Sequence, residues 1–174
     1  MAITLYDATV PNYLQVLTSI RGVLDKGLAH ARETGVDPDN LVEARLIEDM
    51  FPLSFQVKRV ADHSAGALRD ISQGAFTMPK KESYDYAGLQ KILADAEADL
   101  KGWTREAVNA LEGRDIVFDT GHAPARTFKG EAYLFSFAMP NFHFHAVTAY
   151  DILRMKGVPV GKRDYLGETR TTLG

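Results

Sequence analysis

Apolar residues recur every three or four positions in four stretches of the chain, each the stripe of a helix. The first is predicted from about Pro11 to Thr34. It puts Leu14, Leu17, Ile20, Leu24, Leu28 and Ala31 on one face, with Pro11 suited to a first turn and Gly35 to a C-terminal cap. Asp39 or Asn40 can cap a short helix reaching about Met50. Pro52 then lacks an amide donor and restricts Phe51, which predicts a break. A longer helix from Pro52 to Ile71 buries Leu53, Val57, Val60, Ser64, Leu68 and Ile71. The third helix is predicted from about Tyr84 to Leu111, with Ser83 as cap, Gly113 as terminator, and Leu89, Ile92, Leu93, Ala96, Leu100, Trp103, Ala107 and Leu111 inward. The last runs from near Glu131 to Met155 or Lys156. Pro140 inside it predicts either a kink or a new start, and Gly157 and Pro159 end it. Before it, Ile116 to Phe118 and Arg126 to Lys129 flank a Gly/Pro turn and predict a β-hairpin. The end, "GVPVGKRDYLGETRTTLG", is predicted as an extended tail. The expected fold is all-α: one domain over 1–174, an antiparallel four-helix bundle with a short β-hairpin before the last helix.

Composition narrows the chemistry. The 174 residues suffice to bury a core without staples. There is no cysteine, which excludes disulfides, iron–sulfur clusters and thiolate nucleophiles. The net charge of −3 and the lack of a dense Lys/Arg cluster argue against nucleic acid as a partner. No basic segment followed by an apolar one opens the chain, and no apolar run approaches ~18 residues, so neither a signal peptide nor a membrane span is expected. A cytoplasmic location is the expectation. No glycine-rich phosphate loop, nucleophile elbow or His-Glu-x-x-His motif occurs.

The five histidines carry the remaining chemistry. His143 and His145 lie two apart, hence about 200° apart on a regular helix, and only one can face the interior. His145 flanks the face of Ala149 and Ile152, with Asn141 one turn before it. His143 shares its face with Val147, Tyr150 and Arg154, which suits packing or an interface. His63 belongs to a polar stripe of Gln56, Arg59, His63 and Asp70, either a solvated helix flank or a pocket wall. Both His63 and His145 read first as structural groups, His145 hydrogen-bonded in the core and His63 packed or at the surface, and second as ligands. His30 and His122 are expected in solvent.

Two long motifs resemble one family. "PNFHFHAVTAYDILRMKGVPVGKRDYLG" and "RLIEDMFPLSFQVKRVADHSAG", joined by "KGEAYLFSFAMPNF", are similar to the DUF1993 family of bacteria and fungi. That family is similar in turn to the DinB/YfiT-like superfamily of proposed metalloenzymes. These are four-helix bundles, often dimeric, with one histidine on the second helix and two, four residues apart, on the fourth; some transfer low-molecular-weight thiols. The resemblance implies a divalent metal such as zinc or nickel, with His63 and His145 as its ligands. It implies Gln56, Arg59, Asn141 and His143 as pocket residues, with Arg59 available to an acidic substrate group. It also implies a homodimer, paired through the apolar last helix, and a small-molecule ligand. The chain departs from the pattern on that helix. Asn141 and Ala149 flank His145 at four residues, Met139 and Val147 flank His143, and no His-x-x-x-His pair exists. Asp49, Asp62 and Asp70 are the nearest carboxylates in sequence to His63. Two functions are open: a dimeric small-molecule-binding protein with a degenerate metal site between helices 2 and 4, or a metal-dependent enzyme for thiol transfer or hydrolysis. No catalytic residue is assigned.

Overall fold

The computed structural model describes residues 2–78 and 82–171. Its first helix, α1 (Leu5–Thr34), begins earlier than the apolar stripe predicts. Thr4 and Asp7 form a reciprocal capping box, so the start is fixed by side-chain hydrogen bonds that a hydrophobic pattern does not register. Pro11 therefore lies inside the helix rather than in its first turn. α2 (Asp39–Val42) is a single turn, and residues 43–52 are not helical, so the short helix expected to reach Met50 stops eight residues early.

α3 (Leu53–Ala61), a π-turn (Asp62–Gly66) and α4 (Ala67–Gln73) form one continuous helical run, 53–73. The π-turn shifts the phase of the helix. Its inner stripe of Leu53, Val57, Val60, Ser64, Leu68 and Ile71 is buried, and so are Gln56, His63 and Asp70 from the polar stripe. That stripe is an inward wall and not a solvated flank.

The third predicted helix is two pieces. α5 (Tyr86–Gly102) is capped by Asp85, which accepts from the Gly88 amide, and not by Ser83. It stops at Trp103, whose backbone is extended, and Thr104 caps a new short helix, α6 (Arg105–Asn109). The break rotates the second piece, so that Val108 is buried and Ala107 is exposed, the reverse of an unbroken helix.

The hairpin forms as expected, β1 (Asp115–Phe118) antiparallel to β2 (Arg126–Lys129), with Asp115 opposite Lys129 and Phe118 opposite Arg126. The last long run, 130–155, comprises α7 (Gly130–Tyr133), a π-turn (Leu134–Ala138) and α8 (Met139–Met155). It is continuous through Pro140. The Met139 amide donates five residues back, to the Leu134 carbonyl, so the turn is widened just where proline brings a bulky ring and no amide.

The tail is not simply extended, for it forms a short helix, α9 (Lys162–Leu166). The Gly161 amide donates to the Asp164 carboxylate at 2.8 Å, Lys26 on α1 reaches the same carboxylate at 2.6 Å, and Gln15 Nε2 donates to the Leu166 carbonyl at 2.9 Å.

α1 packs against α5, α8 and α9, and α3 packs against α5 and α8. The buried side chains form one cluster. Tyr13, Leu17, Ile20 and Leu24 of α1 meet Leu89, Leu93 and Leu100 of α5 and Phe142, Ile152 and Leu153 of α8. Each large apolar side chain so buried contributes about 1.5–3 kcal/mol. Among the described residues no helix is long and apolar enough to cross a membrane.

Candidate functional site

The α3–α8 contact brings the two predicted histidines together. Their ring centres lie 5.6 Å apart, with the planes parallel to within 1°. Both rings are buried. His63 stands in the π-turn of the 53–73 run. Phe137, in the π-turn of the 130–155 run, sits edge-on to it at 5.4 Å. On the other side, Phe55 and Phe144 approach His145 edge-on at 5.8 and 5.3 Å. An aromatic cage therefore holds the imidazole pair.

Gln56 orients His145. Its Nε2 donates to the Phe51 carbonyl at 2.9 Å, which leaves Oε1 facing His145 Nδ1 at 2.7 Å. An amide oxygen only accepts, so Nδ1 carries the proton and the Nε2 lone pair of His145 stays free. Burial holds both rings neutral. It pushes His63 down to about 4, helped by the positive charge of Arg59. His145 is also pushed down to about 4, by burial first and then by His63 and Arg59, against a smaller opposing pull from Asp62.

The Arg59 guanidinium carbon stands over the Phe55 ring, 4.7 Å from its centre. Phe55 in turn stacks on Phe51 at 4.1 Å. Lys58 and Arg59 both pair with Asp62, Arg59 at 3.1 Å. Asp62 helps line a cavity of about 360 Å³ beside His63, together with Lys58, Arg59, Asp70 and Phe76. Asp70 is buried, and burial raises its pKa despite hydrogen bonds from the Thr77 amide and the Tyr133 hydroxyl.

The other predicted pocket residues do not join this wall. The Asn141 Nδ2 donates to the Phe137 carbonyl at 2.8 Å, within its own helix. His143 faces the C-terminal helix, its Nδ1 3.3 Å from the Tyr165 hydroxyl, so it packs α9 against α8; neither it nor His145 lines the cavity beside His63. His122 is exposed as expected, whereas His30 is half-buried. Sequence reasoning missed Phe55, Phe137 and Lys58. Lys58 and Asp62 stand four apart and Arg59 and Asp62 three apart, the spacing of helical ion pairs, and that signal was available.

A ring bound at 2.0–2.1 Å keeps its centre about 3.2 Å from an ion, so two rings on one ion have centres roughly 5–6 Å apart. The observed separation suits two ligands. Catalytic zinc takes three, and among the described residues no group of three His, Asp or Glu side chains is placed to hold one ion. The position one turn before His145 is occupied by an asparagine already engaged, and the position one turn after by alanine. The residues present do not fit a three-ligand metal centre.

In its fold the chain is similar to solved DinB-like proteins. The sequence matches the family described as "Domain of unknown function (DUF1993)" over residues 5–166, and the chain belongs to that family. It is similar to a DinB family member protein from Shewanella denitrificans of known crystal structure, with 31% identity and a TM-score of 0.82 over 98% of this chain and 96% of that one. A DinB-like protein of Bacillus subtilis, YjoA, shares the fold at 18% identity and a TM-score of 0.57, over 85% of this chain and 91% of its own. Comparison with curated proteins finds no match.

The two buried rings make stability depend on pH in the metal-free protein. Both bind a proton at about 4 when folded and at ~6.5 when unfolded, so as pH falls below ~6.5 the unfolded state takes up protons first. Their contribution is full above ~6.5 and is lost as pH falls toward 4, at up to about 1.4 kcal/mol per pH unit for each ring. The urea midpoint should fall less steeply over that window in the His63→Asn/His145→Asn variant than in the parent. Equal slopes would show that the rings titrate normally.

Proposed function

We propose that this protein is a small-molecule-binding member of the DinB-like four-helix bundles, in which a degenerate metal site between the second and last long helical runs has become one wall of a binding cavity. The observation that carries this reading is the pair of parallel, neutral imidazoles with no third ligand among the described residues. A wired His145, an adjoining cavity and a cationic neighbour suit holding a ligand better than activating water on an ion. The metal-enzyme reading keeps one favourable feature, the separation of the two rings.

Metal analysis of untagged protein decides between the two. We expect less than about 0.1 divalent ion per chain, because two imidazoles fall short of the three ligands a tight site needs. His145→Ala should then leave metal content unchanged and lower stability by about 1–3 kcal/mol, since the Gln56 oxygen loses its buried donor. One zinc or nickel per chain, lost in His145→Ala, would instead establish the metal enzyme.

The same reading includes a homodimer. The hairpin covers part of the last helical run, with Phe118 and Phe128 against Tyr133 and with Phe118 also against Phe137. α9 covers His143 and Tyr150 through Tyr165. Phe144 remains 56% exposed and Phe51 59% exposed, and both belong to the aromatic cluster around Phe55 and His145. A second copy seated there would close the outer side of the site. Light scattering should report about twice 19.2 kDa for the parent and for Asp25→Lys, and a monomer for Phe144→Glu. A monomeric parent at micromolar concentration would contradict this arrangement.

A further inference from the structure

The C-terminal helix α9 combines a fitted seat with a weak hold. It lies against α1 and reaches α8 through Tyr165, whose hydroxyl is 3.3 Å from His143 Nδ1 and whose ring centre is 6.3 Å from that of Tyr150. The fit is tightest at Gly167, just past the helix. A Cβ at that position would collide with the Ser19 hydroxyl on α1, and the backbone there has a φ of +63°. Only glycine satisfies both demands. The closed position is therefore specific.

The hold is polar and largely solvated. None of the five residues of α9 is buried, and Leu166 is 40% exposed. The last buried side chains, Val158 and Val160, come before it, and the Arg154 guanidinium ties the Val160 carbonyl to α8. Beyond Val160 the attachments are the Lys26–Asp164 ion pair at 2.6 Å, the Gln15–Leu166 hydrogen bond at 2.9 Å, the Tyr165 contacts and a bond from Arg170 to Asn12. The Lys26 side chain is 48% exposed, so salt screens its pair with Asp164. A segment with few buried apolar contacts and solvated hydrogen bonds opens at a free energy well below that of global unfolding. Between the tied Val160 and α9 stands Gly161, with open space where a side chain would be, which suits a hinge.

We infer that residues 161–171 form a strap that opens as a unit about Gly161 while the bundle stays folded, with the Lys26–Asp164 pair setting how often it opens. Opening uncovers Ser19, His143 and Tyr150 and leaves the His145–Gln56 bond in place. Salt shifts the balance toward the open state. The device stands independently of the binding-protein reading.

The chain has no cysteine, so a single thiol placed under the strap reports its opening. Ser19→Cys carries the reporter, and Ala149→Cys, fully buried on α8, reports global unfolding. Under native conditions a thiol reagent should label Ser19→Cys at least about a hundredfold faster than Ala149→Cys. Adding Lys26→Ala should speed labelling of Ser19→Cys about two- to fivefold. Raising sodium chloride from about 0.02 to about 0.5 M should speed it while Lys26 is present, and less once Lys26 is replaced. A cysteine is larger than serine and could itself prop the strap open, so hydrogen exchange of the unmodified full chain is the second measurement. The α9 amides should be protected relative to an unstructured peptide, yet exchange at least about a hundredfold faster than the α8 amides around His145. Equal labelling of the two cysteines, or α9 amides as slow as those of α8, would show that the strap opens only with the whole bundle and would overturn the inference. Exchange of α9 at the rate of an unstructured peptide would overturn it from the other side, because the strap would never close. Labelling indifferent to both Lys26→Ala and salt would remove the ion pair from control of the strap.

Discussion

The hydrogen bond from His145 to Gln56 ties the second long helical run to the last, and the site is arranged around it. Neither side chain can sit unpaired between two packed helices without costing about 1–3 kcal/mol. Gln56 resolves this by bridging: it donates to the Phe51 carbonyl and accepts from His145 Nδ1–H. The bridge fixes the backbone just before α3, the tautomer of His145 and the register of α8 on α3. Once His145 is held, His63 has a fixed surface to lie parallel to, and the Phe55, Phe137 and Phe144 rings close around both.

Two π-turns make this juxtaposition available. Each of the site-bearing runs contains one, Asp62–Gly66 and Leu134–Ala138, and each places a site residue, His63 in the first and Phe137 in the second. A π-turn inserts a residue into the helical repeat and re-aims the side chains C-terminal to it, at the cost of poorer backbone hydrogen bonding. In the 53–73 run this puts His63 on the buried wall with Gln56 and Asp70 while keeping Ser64, Leu68 and Ile71 in the core. In the 130–155 run it also lets the helix pass Pro140 without breaking. Site geometry and helix continuity are thus settled by the same local irregularity.

Much of this was legible from residue spacing. The apolar stripes of the 53–73 run and of α8 are buried as the three-and-four pattern requires, that of α1 is buried at Leu17, Ile20, Leu24 and Ala31 and half-buried at Leu14 and Leu28, and the hairpin follows its turn signal. The 200° separation let only one of His143 and His145 face inward, and the face that His145 shares with Ala149 and Ile152 singled it out. What escaped the pattern has particular causes. The start of α1 depends on the Thr4–Asp7 capping box, and the break at Trp103 depends on Thr104 recapping the chain. Neither alters the period of apolar residues. The π-turns leave no mark in a single sequence, so the polar stripe of Gln56, Arg59, His63 and Asp70 could be read as a solvated flank. α9 was hidden because five residues are too few to show a helical period, and its anchors on Gln15 and Lys26 lie far away in the chain.

Buried and wired in this way, His145 is a neutral acceptor at Nε2, and His63 is held neutral beside it. Long-range proton–nitrogen NMR of the histidine rings at pH 7 tests this most directly. The account predicts that His145 is neutral with its proton on Nδ1, and that His63 is neutral beside it. A charged His145, or one protonated on Nε2, would contradict the Gln56 bridge and with it the arrangement of the site.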